Sequence, residues 1–253
     1  MDKEQKEREY FLAGIRNLIE LSMRQDAMKF SSFLNEQQQA MAEPIVRKSG
    51  AQYRFYGGFS GAQRLMLGVF PDYTEPLDEY FPIGAFTFRY PENYHLSHRD
   101  FLGTLMAQQI KRETIGDIVI TPGKAVLFAE ERVHKVVATQ IDKVGGVGVT
   151  VEQGLDGPVT AVQKFRELKG TLASLRLDAS VSLVTGLSRE KAAKLITSGM
   201  VMLNYLEKNQ GTALLKEGDI LTVRGYGKFR LTTVGHETRK GRISVLFDAF
   251  VNE

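Results

Sequence analysis

Several short runs in this chain hold residue types that do chemistry elsewhere. His98-Arg99-Asp100 spells the catalytic-loop triplet of phosphoryl-transfer enzymes. No asparagine at the required spacing, no Asp-Phe-Gly and no phosphate loop accompany it, which excludes that chemistry. Arg99, near a helix start, is suited instead to meet a phosphate with help from backbone N–H groups. A capped helix with incidental charges accounts for the same residues. His95 and His98 have H-x-x-H spacing but no third ligand nearby, so no zinc is expected. Gly58-Phe59-Ser60-Gly61-Ala62 nearly imitates a nucleophile elbow but lacks the spaced second glycine, and reads as a tight hairpin. Gly145-Gly146-Val147-Gly148 enters a strand and not a helix, so it is no dinucleotide loop. The chain has no cysteine and four histidines. Disulfides, thiolate metal sites and a thiol nucleophile are therefore excluded, and no metal or cofactor is expected.

What remains is cationic chemistry near the C-terminus. Ser188 stands where a helix N-cap belongs, its hydroxyl able to accept an orphan N–H. The helix from Arg189 to Ser198 has Ala192, Leu195 and Ile196 on one face and Lys191 and Lys194 on another. Gly199 is placed to end it in a left-handed conformation. A hairpin begins near Ile220, where Leu221, Val223, Phe229 and Leu231 alternate with Arg224, Tyr226, Lys228 and Arg230. Period two turns the first set inward and the second outward. Three cations and an aromatic on one face suit phosphate pairing with base or sugar stacking. A basic strand kept soluble, or an edge guarded by charge, gives the same pattern. From Thr171 to the end there are twelve Lys/Arg against eight Asp/Glu, a balance of +4, while the rest of the chain stands at −1. That asymmetry points to an anionic partner for the last third, and a solvated surface that happens to be basic gives the same balance.

The elements that position these residues fall into an α+β order. Residues 1–74 read as helices followed by a β-hairpin. Phe11, Ile15, Leu18, Ile19 and Met23 recur at helical spacing, and Phe30, Phe33 and Leu34 predict a second helix ending near Pro44. Tyr53–Tyr56 and Arg64–Phe70 read as strands around a glycine-rich turn. Residues 75–153 read as β-α-β-β-α-β, the ferredoxin-like arrangement, with its last strand at Val147–Val151. Residues 154–170 read as a polar linker with a short helix around Phe165 and Leu168. The C-terminal module occupies 171–253. The N-terminus of the chain, MDKEQKEREY, lacks the apolar core of a signal peptide, and no apolar run is long enough for a bilayer. A cytoplasmic protein without membrane contact is expected.

Arg176-Leu177-Asp178, then Ser188-Arg189-Glu190-Lys191-Ala192-Ala193-Lys194-Leu195-Ile196, Gly199, Val201, Asn204 and Glu217-Gly218-Asp219 resemble the S4 RNA-binding domain. The resemblance covers about a quarter of the chain and implies a basic surface that reads RNA shape and backbone. Carried over, Arg176, Arg189, Lys191 and Lys194 are its contacts, with Ser188 and Asp219 structural. The chain departs from the pattern at Met200 and Met202, where the family often has basic residues, and at Tyr205, where it often has glycine. Those departures shift the expected contact from that strand to the helix and the hairpin.

Gly57-Gly58-Phe59-Ser60-Gly61-Ala62-Gln63-Arg64, His98-Arg99-Asp100-Phe101-Leu102-Gly103 and Lys111-Arg112-Glu113-Thr114-Ile115-Gly116-Asp117-Ile118, all preceding the S4-like run, resemble the YlmH-type S4 proteins. A departure is Gln108-Gln109, where that family often has leucine-glycine. The resemblance implies a non-catalytic protein that binds ribosomal RNA, with peptidyl-tRNA beside it, on stalled large ribosomal subunits, and a gene neighbourhood linked to cell division. Arg99, Lys111 and Arg112 join the candidate contacts. Two other functions stay open. Arg176-Leu177-Asp178 is similar to the catalytic Arg-Leu-Asp of pseudouridine synthases, with Asp178 as nucleophile, although Ala-Ser-Val-Ser follows it and only a short tail follows the module. A protein-binding adaptor at the division site is the other.

Overall fold

The computed structural model describes residues 3–160 and 164–251. It divides into two compact units, residues 1–161 and 162–253. Both mix helices with antiparallel sheets, an α+β architecture.

In the first unit, α1 (Lys3–Gln25) buries Ile15 and Ile19, spaced one helical turn apart. The second helix begins later than the spacing of Phe30, Phe33 and Leu34 predicts. Phe30 lies in β1 (Lys29–Phe30), and Phe33 and Leu34 are buried in the extended segment after it. Asn35 then starts α2 (Glu36–Ser49): its Oδ1 accepts from Gln38 N, and Gln38 Oε1 accepts from Asn35 N, both at 2.9 Å. This reciprocal cap satisfies two donors that a helix start leaves orphaned. The helix runs through Pro44, flanked by the fully buried Ala42 and Val46, and ends at Gly50 in the left-handed region. Strands β2 (Gln52–Tyr56) and β3 (Met66–Phe70) pair antiparallel, with β1 on the other side of β3.

The rest of this unit is built on β4 (Ile83–Arg89), α3 (His98–Ala107), β5 (Ile115–Thr121), β6 (Lys124–Glu130) and α4 (His134–Gln140). The stretch after α4 is not one strand. Gly145 and Gly146, both at positive φ, turn the two-residue β7 (Lys143–Val144) back onto β8 (Val147–Gly148), and β9 (Thr150–Gln153) follows. The sheet order is β5-β6-β4-β9, all antiparallel. One face, with Phe86, Phe88, Ile118 and Leu127, packs against Phe101 and Leu105 of α3 and Val137 of α4. The other, with Ala85, Val126 and Phe128, is covered by Phe33, Phe59, Met66 and Phe70 from the preceding segment. Both faces of this sheet are therefore filled.

The second unit opens with β10 (Phe165–Leu172), a strand where Phe165 and Leu168 suggested a helix. Period two prevails there because Leu168, Gly170 and Leu172 fall opposite Phe247, Val245 and Ile243 of the last strand. Then come α5 (Leu177–Thr185), α6 (Arg189–Thr197), β11 (Val201–Leu203), β12 (Leu206–Glu207), β13 (Ile220–Val223), β14 (Gly227–Glu237) and β15 (Ile243–Phe250). The sheet runs β10-β15-β14-β13-β11-β12. Leu177, Val181, Val184, Ala192 and Ile196 of the two helices close over Leu203, Leu221, Val223, Phe229, Leu231, Val245 and Phe247. At about 1.5–3 kcal/mol per fully buried large aliphatic side chain, this contact holds the helices to the sheet.

Candidate nucleic-acid interface

Asp178 organises the helix side of the second unit. Its main chain is fixed first: Leu177 N donates to Ala213 O at 2.7 Å and Asp178 N to Gly211 O at 3.0 Å. The first donors of α5 are thus already satisfied, and Asp178, second in the helix, does not act as its cap. Its carboxylate instead holds two arginines. Arg176 donates through Nε (3.2 Å) and Nη2 (3.0 Å), and Arg189 through Nε (3.3 Å) and Nη2 (3.3 Å). Burial pushes the Asp178 carboxyl up, but the hydrogen bonds and charges of Arg176 and Arg189 outweigh it and hold it below the usual carboxylate range. Each guanidinium uses one edge on Asp178, leaving the other N–H donors of its five-donor fork for a further anion. The side chains of Arg176 and Arg189 are 37% and 55% exposed, so those donors can be reached.

The N-cap of α6 forms as its sequence predicts. Ser188 Oγ accepts from Lys191 N at 3.3 Å, and Gly199 follows the helix at φ +72°. Lys191 and Lys194 are exposed on this helix. Lys194 Nζ meets Glu190 Oε1 at 2.8 Å, a solvent-exposed pair one turn apart that contributes little to stability.

The alternating hairpin divides in two. Leu221, Val223, Phe229 and Leu231 all point into the core. Val223 pairs with Gly227, which leaves Arg224, Gly225 and Tyr226 as the turn. Arg224 and Tyr226 are exposed at that tip and not on the strand face. Lys228 and Arg230 do lie on the outward face, each against aromatic rings. Lys228 Nζ is 5.2 Å from the Tyr205 ring centre and 5.1 Å from that of Phe250, while the Arg230 guanidinium is 4.9 Å from Phe165 and 5.4 Å from Phe250. Since α5 and α6 cover the opposite face, Arg176, Arg189, Lys191 and Lys194 form one cation group on the helix side, and Lys228 and Arg230 form another on the open side.

The candidates of the first unit have other surroundings. Arg99 is exposed in the first turn of α3, where the Asp100 carboxylate already accepts from Ser97 N (2.8 Å) and Ser97 Oγ (2.7 Å). Lys111 is exposed before β5. Arg112 is tied into the structure: its Nη1 donates to Ile115 O at 2.8 Å, and burial lowers its pKa. Beside it Arg64 donates to Ile115 O (2.8 Å), Phe33 O (3.1 Å) and Arg112 O (3.3 Å). Burial and the neighbouring Arg112 charge push Arg64 down to about 10, against the pull of Asp117. Asp117 in turn accepts from Gln63 N (2.5 Å) and Arg64 N (3.2 Å), and burial raises its pKa. This node sews the glycine-rich turn onto the central sheet.

Among the described residues no group of three or more His, Cys, Asp or Glu could hold a metal ion, and no helix is long and apolar enough to cross a membrane. Sequence reasoning missed the clamping role of Asp178 and the aromatic partners Phe165, Tyr205 and Phe250. For Phe250 alone a signal was present, the alternation of its own strand: Val245, Phe247 and Ala249 are buried in the core, which turns Phe250 to the other face.

Residues 76–155 match a family model described as "Putative RNA-binding domain in YlmH". Across 226 residues the chain is 30% identical to ribosome-associated protein quality control protein P2 of Bacillus subtilis (strain 168), covering 87% of each protein. Its fold is similar to the solved structure of cell division protein ylmH from Streptococcus pneumoniae, with a TM-score of 0.52 and 22% identity, over 61% of this chain and 93% of that one.

Proposed function

The chain belongs to the family of YlmH and ribosome-associated quality control protein P2, and from that premise we propose that its second unit is an S4-type module binding structured RNA without catalysis. The observation that carries this reading is the pair Arg176 and Arg189, at the starts of consecutive helices, which share one buried carboxylate while their own side chains stay exposed. Phosphate needs that chemistry, a fixed planar fork at a defined spacing. Lys191 and Lys194 extend the same side by point charges. The RNA is ribosomal RNA of the large subunit, with peptidyl-tRNA adjacent, and the location is the cytoplasm. A link to cell division is supported by the Streptococcus relative, itself a cell division protein. The strand order β5-β6-β4-β9 supports reading the central sheet as ferredoxin-like.

Asp178 serves this reading better than a nucleophilic one, because both its oxygens are committed to guanidinium groups and its carboxyl is buried. The test is cosedimentation with purified large ribosomal subunits through a sucrose cushion at rising KCl. Wild type should pellet at low salt and release as salt rises, and Arg176→Ala/Arg189→Ala should release at lower salt. Pelleting unaffected by both salt and the double substitution would contradict the proposal.

A further inference from the structure

The open face of the six-stranded sheet carries a row of side chains that runs across five strands. Met202 lies opposite Thr222, and Thr222 opposite Lys228. Lys228 sits against Phe250, which pairs with Phe165 on the edge strand. The two phenylalanine rings meet edge to face at 5.0 Å, and Phe165 is 39% exposed. None of these five residues is acidic, and the carboxylate that continues the row, Glu207, stands at its far end opposite Met202 on β12. At the aromatic end the carboxylates lie in the next row: Asp248 opposite Arg230, and Glu167 opposite Asp248 and bridged to Lys169 at 3.1 Å.

Two features set this face apart from an ordinary solvated one. Arg230 Nε makes no hydrogen bond, so its guanidinium rests on the rings of Phe165 and Phe250, unlike Arg176 and Arg189, which rest on a carboxylate. Tyr205 is held at φ +64°, a conformation that costs an aromatic residue energy, and from there its ring meets Lys228. The result is a strip where aromatic rings alternate with cations. Such a strip matches the unpaired bases and phosphates of a single strand, whose π faces stack on rings and guanidinium planes without a sequence requirement.

We infer that this open face is a second RNA surface, separate from the helix side and specific for unpaired nucleotides. The inference rests on the second unit being an RNA-binding module, and it adds a division of labour. A whole sheet and its helix layer separate the two cation groups, so one short duplex cannot lie on both.

The experiment uses the full chain and two probes: a 12-nucleotide oligouridine and a stable RNA hairpin with a minimal loop, each followed by fluorescence anisotropy. Phe165→Leu and Lys228→Gln, the first keeping apolar packing at an exposed edge, should each weaken oligouridine binding about 5- to 100-fold, the range stacking confers. Hairpin binding should stay unchanged. Arg189→Ala/Lys194→Ala should do the reverse. Equal losses on both probes, or unchanged oligouridine binding in both open-face variants, would overturn the inference. If these variants instead changed the sedimentation coefficient while both RNAs bound normally, the face would join two copies of the chain and the inference would fail. Hairpin binding that ignored Arg189→Ala/Lys194→Ala would contradict the helix-side proposal alone.

Discussion

Asp178 and Arg189 lie eleven positions apart on consecutive helices, and the carboxylate accepts two hydrogen bonds from the guanidinium at 3.3 Å each. The same carboxylate holds Arg176, so one buried acid sets the geometry of two arginines. This gives Asp178→Asn an informative sign. Removing a negative charge beside two cations would, on electrostatics alone, strengthen RNA binding. If Asp178 positions the arginines, binding weakens by about 1 kcal/mol, roughly fivefold, because an amide accepts through only one oxygen. Hairpin affinity measured for the variant decides between the two.

The depressed Asp178 carboxyl also predicts a pH dependence. Its folded pKa lies below the unfolded value of about 3.9, so its contribution is fully present at neutral pH. That contribution is lost as pH falls below about 4. In the first unit, Asp117 and Glu130 are raised by burial, and their cost at neutral pH is relieved as they take up protons on acidification. Hydrogen exchange between pH 6 and pH 3 should show α5 and α6 losing protection while the β5–β6 region does not follow in parallel. In Asp178→Asn the acid sensitivity of α5 should be reduced.

Gln109 and Tyr205 stand where the resembling family often has glycine, and both keep a left-handed backbone, φ +60° and +64°. Gln109→Gly should therefore stabilise the first unit by up to about 1 kcal/mol, since glycine adopts that region without a Cβ clash. Tyr205→Gly relieves similar strain but removes the ring beside Lys228, so its gain should be smaller. Urea midpoints for the two variants check the order. A larger gain at Tyr205 would argue against any value in that ring contact.

Gly58 makes a sharper demand. A Cβ there would sit 2.3 Å from the Phe128 ring, at φ +97°. Gly58→Ala should destabilise the first unit by about 2–3 kcal/mol, through overpacking and backbone strain together. Thermal unfolding followed by circular dichroism would detect it, and a wild-type midpoint would refute the packing described for the glycine-rich turn.

Local signals made part of this legible. Ser188 and Gly199 bound α6 as their residue types require, and the odd–even alternation from Leu221 to Leu231 gave the buried face correctly. Phe30, Phe33 and Leu34 mimic helical spacing, while Asn35 and Gln38 mark the actual start by a cap written in the same stretch. The clamp on Asp178 was hidden, because it depends on how α5 and α6 pack and not on spacing within either. Phe165 was hidden for a related reason: β10 and β15 lie at opposite ends of the unit in sequence, and only their pairing brings Phe165 to Phe250.

The central claim, that the helix-side arginines bind phosphate, is tested most directly by the salt dependence of RNA-hairpin binding in wild type and in Arg176→Ala/Arg189→Ala. Each phosphate contact adds about 0.7–0.9 to the negative log–log slope. With four to six contacts in all, wild type should show a slope of about −3 to −5. The double variant should lose about 1.5 of that slope as well as affinity. An unchanged slope, with circular dichroism showing an intact fold, would contradict the account.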